Sequence, residues 1–119
     1  MINGSCHCGA VQFQYPKQPD WLTACNCTVC RRYNTLWAYA PVGEISLQVA
    51  ADTTIAYVHG DKTLAMHFCK TCGCTTHWIK LNFDQSSRMA VNFRMCEPSD
   101  IEHIRIRHLD GLDTWEYLD

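Results

Sequence analysis

Eight of the nine cysteines of this chain are grouped in three short clusters, and thiolates so close in sequence can hold a soft metal ion. The clusters have the patterns C-x-C, C-x-C-x-x-C and C-x-x-C-x-C. Their cysteines are Cys6 and Cys8, then Cys25, Cys27 and Cys30, then Cys69, Cys72 and Cys74. Four thiolates around one ion make a closed tetrahedral zinc site, whereas three leave a position open. Eight thiolates are enough for two ions, and the second could carry the chemistry.

The first and third clusters can together supply one four-thiolate site. Residues i and i+2 of an extended segment point the same way, so Cys6 and Cys8 can bind one ion from one strand. The C-x-x-C pattern of Cys69 and Cys72 closes a tight turn, and the glycine that follows takes positive φ freely. These four cysteines are one plausible site. Spacing alone leaves the pairing open, because the second cluster could equally supply the partners of Cys69 and Cys72.

The second cluster offers three thiolates, and its fourth ligand decides what it can do. Cys25, Cys27 and Cys30 lie within six residues, and Cys74 is the remaining candidate ligand. Catalytic zinc is usually held by three protein ligands and an exchangeable position, which an incoming thiol could occupy as thiolate. If Cys74 closes the site permanently, the site is structural; if it leaves when substrate binds, it is a gate.

Size and composition favour one globular domain spanning residues 1–119. Hydrophobic residues make up 47% and charged residues 18%, and the net charge of -2 argues against a nucleic-acid partner. The chain has no apolar run of about 18 residues, which predicts no membrane span. Its first residues form no charged-then-apolar leader, so we expect a cytoplasmic protein whose cysteines hold metal rather than form disulfides.

Short runs with period-two alternation predict a mainly β architecture in which the cysteines lie at strand ends. In residues 10–15 the alternation places Val11, Phe13 and Tyr15 on one face. Residues 45–49 and 54–59 are expected to form a pair of strands around residues 50–53, and residues 27–33 one or two helical turns. The last ten residues are expected to be a turn and a surface tail. Further strands are predicted at residues 64–68, 75–81, 88–93 and 104–107.

The motifs GSCHCGAVQF, CNCTVCRR and FCKTCGC, in this order and spacing, resemble the glutathione-dependent formaldehyde-activating enzyme family, which includes the centromere protein V group. The later segments VNFRMCEP and IRHLDGLDTW also resemble blocks of that family. The resemblance implies the mainly β architecture called the β-tent fold. It implies two zinc ions: a structural one at Cys6, Cys8, Cys69 and Cys72, and one in the active site at Cys25, Cys27 and Cys30.

The same resemblance implies an activity. The family condenses glutathione, as co-substrate, with formaldehyde to give S-hydroxymethylglutathione, formally the reverse of a carbon–sulfur lyase. The expected partners are therefore a small thiol and a small electrophile. The chain departs from the family at two places: the Ser-Gly pair that often follows the arginines is absent after Arg31 and Arg32, and Cys74 stands where the family often has Ser or Thr.

Several side chains near the clusters are candidates for this reaction. Arg31 or Arg32 could bind a glutathione carboxylate with two hydrogen bonds, although exposed arginines in a turn are the commoner case. His77 is the best candidate to supply a proton, although a lone histidine in an apolar strand is more often structural. Four aromatic residues could line a pocket at the second cluster or simply fill the core: Trp21, Trp37, Tyr39 and Trp78.

Two other classes of function compete with this enzyme. One is a zinc-stabilised protein-interaction module without activity, with Trp115 and Tyr117 at its surface. The other is a cysteine redox enzyme that uses Cys74 or Cys96. The sequence places no His or Arg where it would lower the pKa of Cys96, so an inert buried thiol is expected there.

Overall fold

Ten β-strands dominate the computed structural model, which describes Met1–Asp119, and this confirms the predicted mainly β class. The strands are β1 (Ile2–Ser5), β2 (Val11–Tyr15), β3 (Leu22–Cys25), β4 (Trp37–Pro41), β5 (Ser46–Val49), β6 (Thr54–Val58), β7 (Leu64–Cys69), β8 (Thr75–Lys80), β9 (Arg88–Asn92) and β10 (Ile106–Leu109). The helices are α1 (Cys30–Tyr33) and α2 (Pro98–Ile101), with single 3-10 turns at Val42–Glu44 and Phe93–Met95. None of these helices is long and apolar enough to cross a membrane.

The strands form two sheets. One has three strands in the order β1–β2–β5, and the other has seven in the order β10–β3–β4–β9–β8–β7–β6. Neighbouring strands are antiparallel except β10 and β3, which run parallel and place Leu109 beside Cys25. Each cysteine cluster lies where a strand ends: after β1, after β3 and after β7.

One hydrophobic cluster joins the two sheets. The alternation in β2 buries Val11, Phe13 and Tyr15, whose exposed fractions are 0%, 1% and 5%. The Phe13 ring stacks on Phe93 at a centroid distance of 5.7 Å, and Tyr15 meets the same ring edge-on at 5.3 Å. Burying several aromatic rings in one place contributes much of the stability of a small domain. Val11 packs in a separate, smaller cluster with Cys6 and Cys69, and so links β2 to the first and third cysteine clusters.

The predicted pairing of residues 45–49 with residues 54–59 is wrong. β5 pairs with β2 in the three-stranded sheet, with Phe13 opposite Leu47, whereas β6 pairs with β7 in the other sheet. The turn at residues 50–53 therefore carries the chain from one sheet to the other. Alternation identifies a strand but not its partner, because pairing depends on contacts that are distant in sequence.

The last ten residues form the predicted turn and are mostly exposed, but hydrogen bonds also tie them to the rest of the protein. Leu109 forms a β-bridge with Tyr117, and the N–H of Leu118 donates to the carbonyl of His108 at 2.8 Å. The N–H of Trp115 donates to the carbonyl of Asp110 at 2.7 Å, which closes the turn. Residues 110–119, called here the C-terminal strap, thus fold back along β10 toward the end of β3.

Candidate metal centres and the adjoining cleft

The first and third cysteine clusters meet in space. The sulfurs of Cys6, Cys8, Cys69 and Cys72 all lie within 4.8 Å of one another. The Sγ atoms of Cys6 and Cys8 are 3.7 Å apart, and those of Cys8 and Cys69 are 3.6 Å apart. Four sulfurs at about 2.3 Å from a zinc ion form a tetrahedron with edges of about 3.8 Å. The four cysteines therefore fit a closed tetrahedral metal site.

Backbone turns hold these sulfurs in place. The N–H of Gly73 donates to the carbonyl of Cys69 at 2.9 Å, and Gly73 has a φ of +79° that glycine adopts without strain. The N–H of Val11 donates to the Sγ of Cys6 at 3.3 Å. N–H donors to sulfur favour the thiolate, which is the form that binds metal.

Cys74 lies beside the first metal centre and not beside the second cluster. Its carbonyl accepts from the N–H of Cys69 at 2.9 Å, so Cys74 stands opposite Cys69 where β7 and β8 begin to pair. Its side chain, like that of Cys72, packs against the buried cluster of Cys6, Val11 and Cys69, and burial raises the pKa of the Cys74 thiol. The turn at Gly73 exists, but it does not bring Cys74 to Cys25, contrary to the prediction of a gate ligand there.

The second cluster forms a separate group of three sulfurs. Cys25 ends β3, Cys27 lies in the following turn and Cys30 begins α1, and their sulfurs lie within 4.8 Å of one another. The N–H of Cys27 donates to the Sγ of Cys25 at 3.4 Å, and the N–H of Cys30 to the Sγ of Cys27 at 3.3 Å. The Nε1–H of Trp37 donates to the Sγ of Cys30 at 3.4 Å. Each sulfur therefore has an N–H donor that stabilises negative charge on it.

The three thiols of this cluster are poised to ionise unequally. The hydrogen bond from Cys30, helped by backbone amides of Cys27 and Gly111, lowers the pKa of Cys25 to about 6. The same contact with Cys25, together with burial, raises the pKa of Cys30. A cluster that loses its first proton near neutral pH is suited to capture a cation, because metal ligands must be deprotonated. The donor set is three thiolates, which soft cations such as zinc prefer.

A cleft of about 810 Å³ opens beside the second cluster, and all three cysteines line it. This volume lies within the range of about 300–1,000 Å³ that is usual for ligand pockets. Its aromatic lining residues are Trp37, Tyr39, Trp78, Trp115 and Tyr117. Three of the four aromatics singled out from the sequence thus line the cleft. Trp21 does not, and instead donates from Nε1 to the hydroxyl of Tyr117 at 3.3 Å.

The arginine that lines this cleft is Arg88, whereas Arg31 and Arg32 do not line it. Arg88 begins β9, and its guanidinium carbon lies 4.6 Å from the centre of the Tyr39 ring. Arg31 and Arg32 are exposed on α1, and the Nη1 of Arg32 donates to the carbonyl of Thr28 at 2.7 Å. Strand alternation could have found Arg88, since it shares a face of β9 with Ala90, which packs in the hydrophobic cluster beside the cleft.

His77 does not line the cleft, so the structure does not bring the predicted proton donor to the site. Its side chain is buried on β8, with 4% exposed, and stacks on His67 with ring centroids 4.5 Å apart. Its Nδ1 lies 2.9 Å from the hydroxyl of Thr76. Burial, with a smaller contribution from His67, lowers the pKa of His77 to about 3. The neighbour Trp78 faces the cleft because successive residues of a strand point to opposite faces.

Replacing His77 by asparagine is expected to flatten the pH dependence of stability. The unfolded chain protonates this histidine below pH about 6.5, whereas the folded protein keeps it neutral down to pH about 3. The free energy of unfolding of the wild type should therefore fall as pH drops through that window, by up to about 1.4 kcal/mol per pH unit from this residue. Urea unfolding at pH 7, 6 and 5 measures the free energy of unfolding of the wild type and of the variant. Acid release of metal affects both proteins, so the difference between them reports on His77. If the two free energies fell by the same amount from pH 7 to pH 5, the lowered pKa of His77 would be contradicted.

Cys96 is the ninth cysteine and lies outside both metal centres. Its side chain is 7% exposed and packs in the hydrophobic cluster between the sheets. Burial, together with the carboxylate of Asp100, raises the pKa of the Cys96 thiol to about 12. A thiol that stays protonated at neutral pH is a poor nucleophile. Cys96 therefore behaves as a packing residue.

The C-terminal strap touches the second cluster directly, a contact that the sequence analysis missed. A Cβ added to Gly111 would lie 2.5 Å from the Sγ of Cys25, so only glycine fits there without a shift. Asn26 fastens the strap to the cluster: its Nδ2 donates to Asp110 Oδ1 at 3.1 Å, and its Oδ1 accepts from the N–H of Leu112 at 2.9 Å. The strap is thus part of the site.

Comparisons with known proteins identify the family of this chain. The family model described as glutathione-dependent formaldehyde-activating enzyme matches residues 1–102. The chain belongs to this family. A Halomonas elongata protein provisionally named a glutathione-dependent formaldehyde-activating enzyme is 34% identical over 77 residues, which is 64% of this chain and 45% of that relative. The match therefore spans less than half the length of that relative.

A solved structure shares the fold of this member of the glutathione-dependent formaldehyde-activating enzyme family. It is a crystal structure of a Rhodobacter sphaeroides protein with a TM-score of 0.70 and 26% sequence identity. The similarity covers 88% of this chain and 99% of the other. The family match includes all eight clustered cysteines, whereas the C-terminal strap follows the matched residues.

Proposed function

We propose that this protein is a zinc-dependent enzyme that joins glutathione, or a similar thiol, to formaldehyde or another small electrophile. The observation that carries the proposal is the position of the second cluster: its three sulfurs converge at the wall of an open cleft. The family description names glutathione and formaldehyde, and the donor set suits a metal with one free position. In class this is a carbon–sulfur lyase working in the direction of bond formation.

The proposal assigns different roles to two zinc ions per chain. Cys6, Cys8, Cys69 and Cys72 would hold a structural ion, because four thiolates leave no position for a ligand. Cys25, Cys27 and Cys30 would hold the second ion, with no fourth cysteine beside them. Zinc in such a site supplies a positive charge that keeps an incoming thiol as its nucleophilic thiolate near neutral pH.

The protein side chains would bind and orient the substrates. The guanidinium of Arg88 can pair with a glutathione carboxylate through two hydrogen bonds, and no protein carboxylate competes for it within salt-bridge distance. The indole of Trp37 keeps its N–H on the Cys30 sulfur, where it stabilises negative charge. The sulfur then adds to the carbonyl carbon, and the thiol proton ends on the carbonyl oxygen.

Glutathione is expected to perturb the absorption spectrum of cobalt-substituted protein, because its sulfur would enter the coordination sphere of the ion at the second cluster. Cobalt reports such a change through its ligand-field bands, whereas zinc is silent. We expect saturation at millimolar glutathione or below, measured by titration under reducing conditions. A spectrum that does not respond to millimolar glutathione would overturn the proposal.

Two arginine variants sharpen this test. Arg88→Leu should weaken glutathione binding roughly tenfold or more, since a hydrogen bond to a charged group contributes about 1.5–3 kcal/mol. Arg31→Leu is the matched control, because Arg31 is exposed on α1 and does not line the cleft. Equal losses in both variants would show that general charge, and not Arg88, attracts the ligand.

A further inference from the structure

The C-terminal strap gives the cleft an apolar wall, and formaldehyde has no apolar group that could contact it. Leu112 and Trp115 line the cleft although 61% and 66% of their surfaces are exposed to solvent. A single exposed apolar residue is ordinary, but two of them on one wall beside a reactive cluster leave a surface for a ligand to cover. Formaldehyde carries no substituent, and glutathione is a charged, polar peptide.

The strap holds Trp115 in a costly backbone conformation. Trp115 has a φ of +60°, which bulky residues rarely adopt. Asp110 enforces it: its carbonyl accepts from the N–H of Trp115 at 2.7 Å, and its Oδ2 accepts from the hydroxyl of Thr114 at 3.1 Å. An indole held this way, in solvent and at the edge of a cleft, is preorganised for contact with a ligand and not for packing in the core.

The cleft has a polar part and an apolar part. Among the residues that line it, Arg88 is the one arginine and Asp61 the one carboxylate, and the guanidinium of Arg88 lies over the ring of Tyr39. Leu112 and Trp115 belong to the strap, which reaches the cluster from β10 beside β3. The sulfurs of the second cluster line the same cleft, so one bound molecule can contact Arg88, the cluster and the strap. The adduct of a charged thiol with an aldehyde that carries an apolar substituent meets these requirements.

We infer that the electrophile is an aldehyde with an aromatic or branched apolar substituent, which the strap holds against Leu112 and Trp115. This inference rests on the proposed function and names the substrate class of the same site. The sulfur of the thiol forms a bond with the aldehyde carbon, the carbonyl π bond breaks, and the thiol proton is transferred to the oxygen. Atoms and electrons balance without an oxidant or a reductant.

Two stable thioethers test the inference by binding alone. S-methylglutathione stands for the adduct of a small aldehyde, and S-benzylglutathione for that of an aromatic one. Calorimetric titration of the zinc-loaded protein should show at least about tenfold tighter binding of the benzyl compound, which is what burial of an aromatic group provides. Trp115→Asn should remove most of this preference while S-methylglutathione still binds, because asparagine tolerates the positive φ of the strap.

Leu118→Asn is the matched control. Leu118 lies in the same strap and is 66% exposed, as Trp115 is, but it does not line the cleft. Its replacement should leave the preference unchanged. Equal affinity of the wild type for both thioethers, or a preference that survives Trp115→Asn, would overturn the inference and leave the proposed function standing. Failure of both thioethers to bind would overturn both, because the cleft would then not accept a glutathione adduct.

Discussion

Replacing Cys69 by alanine is expected to leave the chain without a cooperative folded state at 25 °C. Cys69 is 1% exposed, and its sulfur belongs to the four-sulfur group that joins the end of β1 to the end of β7. A structural zinc site of this kind contributes about 10–16 kcal/mol of apparent binding free energy, comparable with the whole stability of about 5–15 kcal/mol of a small domain. Circular dichroism during urea unfolding measures the loss of stability, and elemental analysis measures the accompanying loss of one zinc ion per chain.

Cys96→Ala is the control for this prediction. Cys96 is also a buried cysteine, but it packs between the sheets and belongs to neither metal centre. Its replacement removes one sulfur from the core, a change that typically costs about 1 kcal/mol, and should leave the zinc content unchanged. If Cys69→Ala were no less stable than Cys96→Ala, the four-thiolate site would not be holding the fold together.

The geometry within each cysteine cluster could be predicted from the sequence, because it depends only on residues that are neighbours in the chain. A C-x-x-C turn followed by glycine closes in the same way wherever it stands, and Gly73 takes the positive φ that its position suggested. The contact between Cys8 and Cys69 crosses 61 positions of the chain. Spacing left that pairing open, and the resemblance to a known family was needed to choose it.

The contact between the C-terminal strap and the second cysteine cluster could not be predicted, because the sequence of the strap suggests a segment that faces only solvent. Residues 110–119 contain acidic side chains and turn-forming residues that indicate a solvated end. Their role depends on the parallel pairing of β10 with β3, which sets Leu109 beside Cys25. No periodicity within ten residues can report a partner that lies more than eighty positions away. Gly111 carried the one local signal, since a glycine often marks a close approach of backbone.

Arg31 and Arg32 are exposed, which is the alternative that the sequence favoured, and the arginine of the cleft comes from another part of the chain. Arg31 and Arg32 follow the second cluster in sequence, and nearness in sequence suggested nearness to the site. One turn of α1 carries them away from the cleft, whereas Arg88 arrives from β9 because β4 and β9 pair through Tyr39 and Ala90. Cys74 likewise stays with Cys69, because the start of the β7–β8 ladder fixes its position. Sheet register, not local sequence, selected these residues.

Replacing Cys25 by serine is expected to abolish the proposed reaction while the fold survives. Serine is nearly isosteric but is a poor ligand for zinc, so the zinc content should fall from two ions per chain to one. Metal catalysis is worth several kcal/mol, and each 1.36 kcal/mol changes the rate tenfold, so turnover should fall by about 10³-fold or more. Exchange of hydroxymethyl groups between glutathione and formaldehyde, followed by nuclear magnetic resonance, measures the rate.

Cys74→Ser decides between the two roles considered for Cys74. Because Cys74 packs beside Cys72 at the first metal centre, this variant should keep both zinc ions and turn over within about twofold of the wild-type rate. If Cys74→Ser instead lost the ion at Cys25, Cys74 would be a gate ligand after all, and the β7–β8 turn would have to rearrange to deliver it. If Cys25→Ser kept its activity, the reaction would not take place at the second cluster. An open three-thiolate site therefore predicts that Cys25→Ser loses one zinc ion and its turnover, whereas Cys74→Ser keeps both.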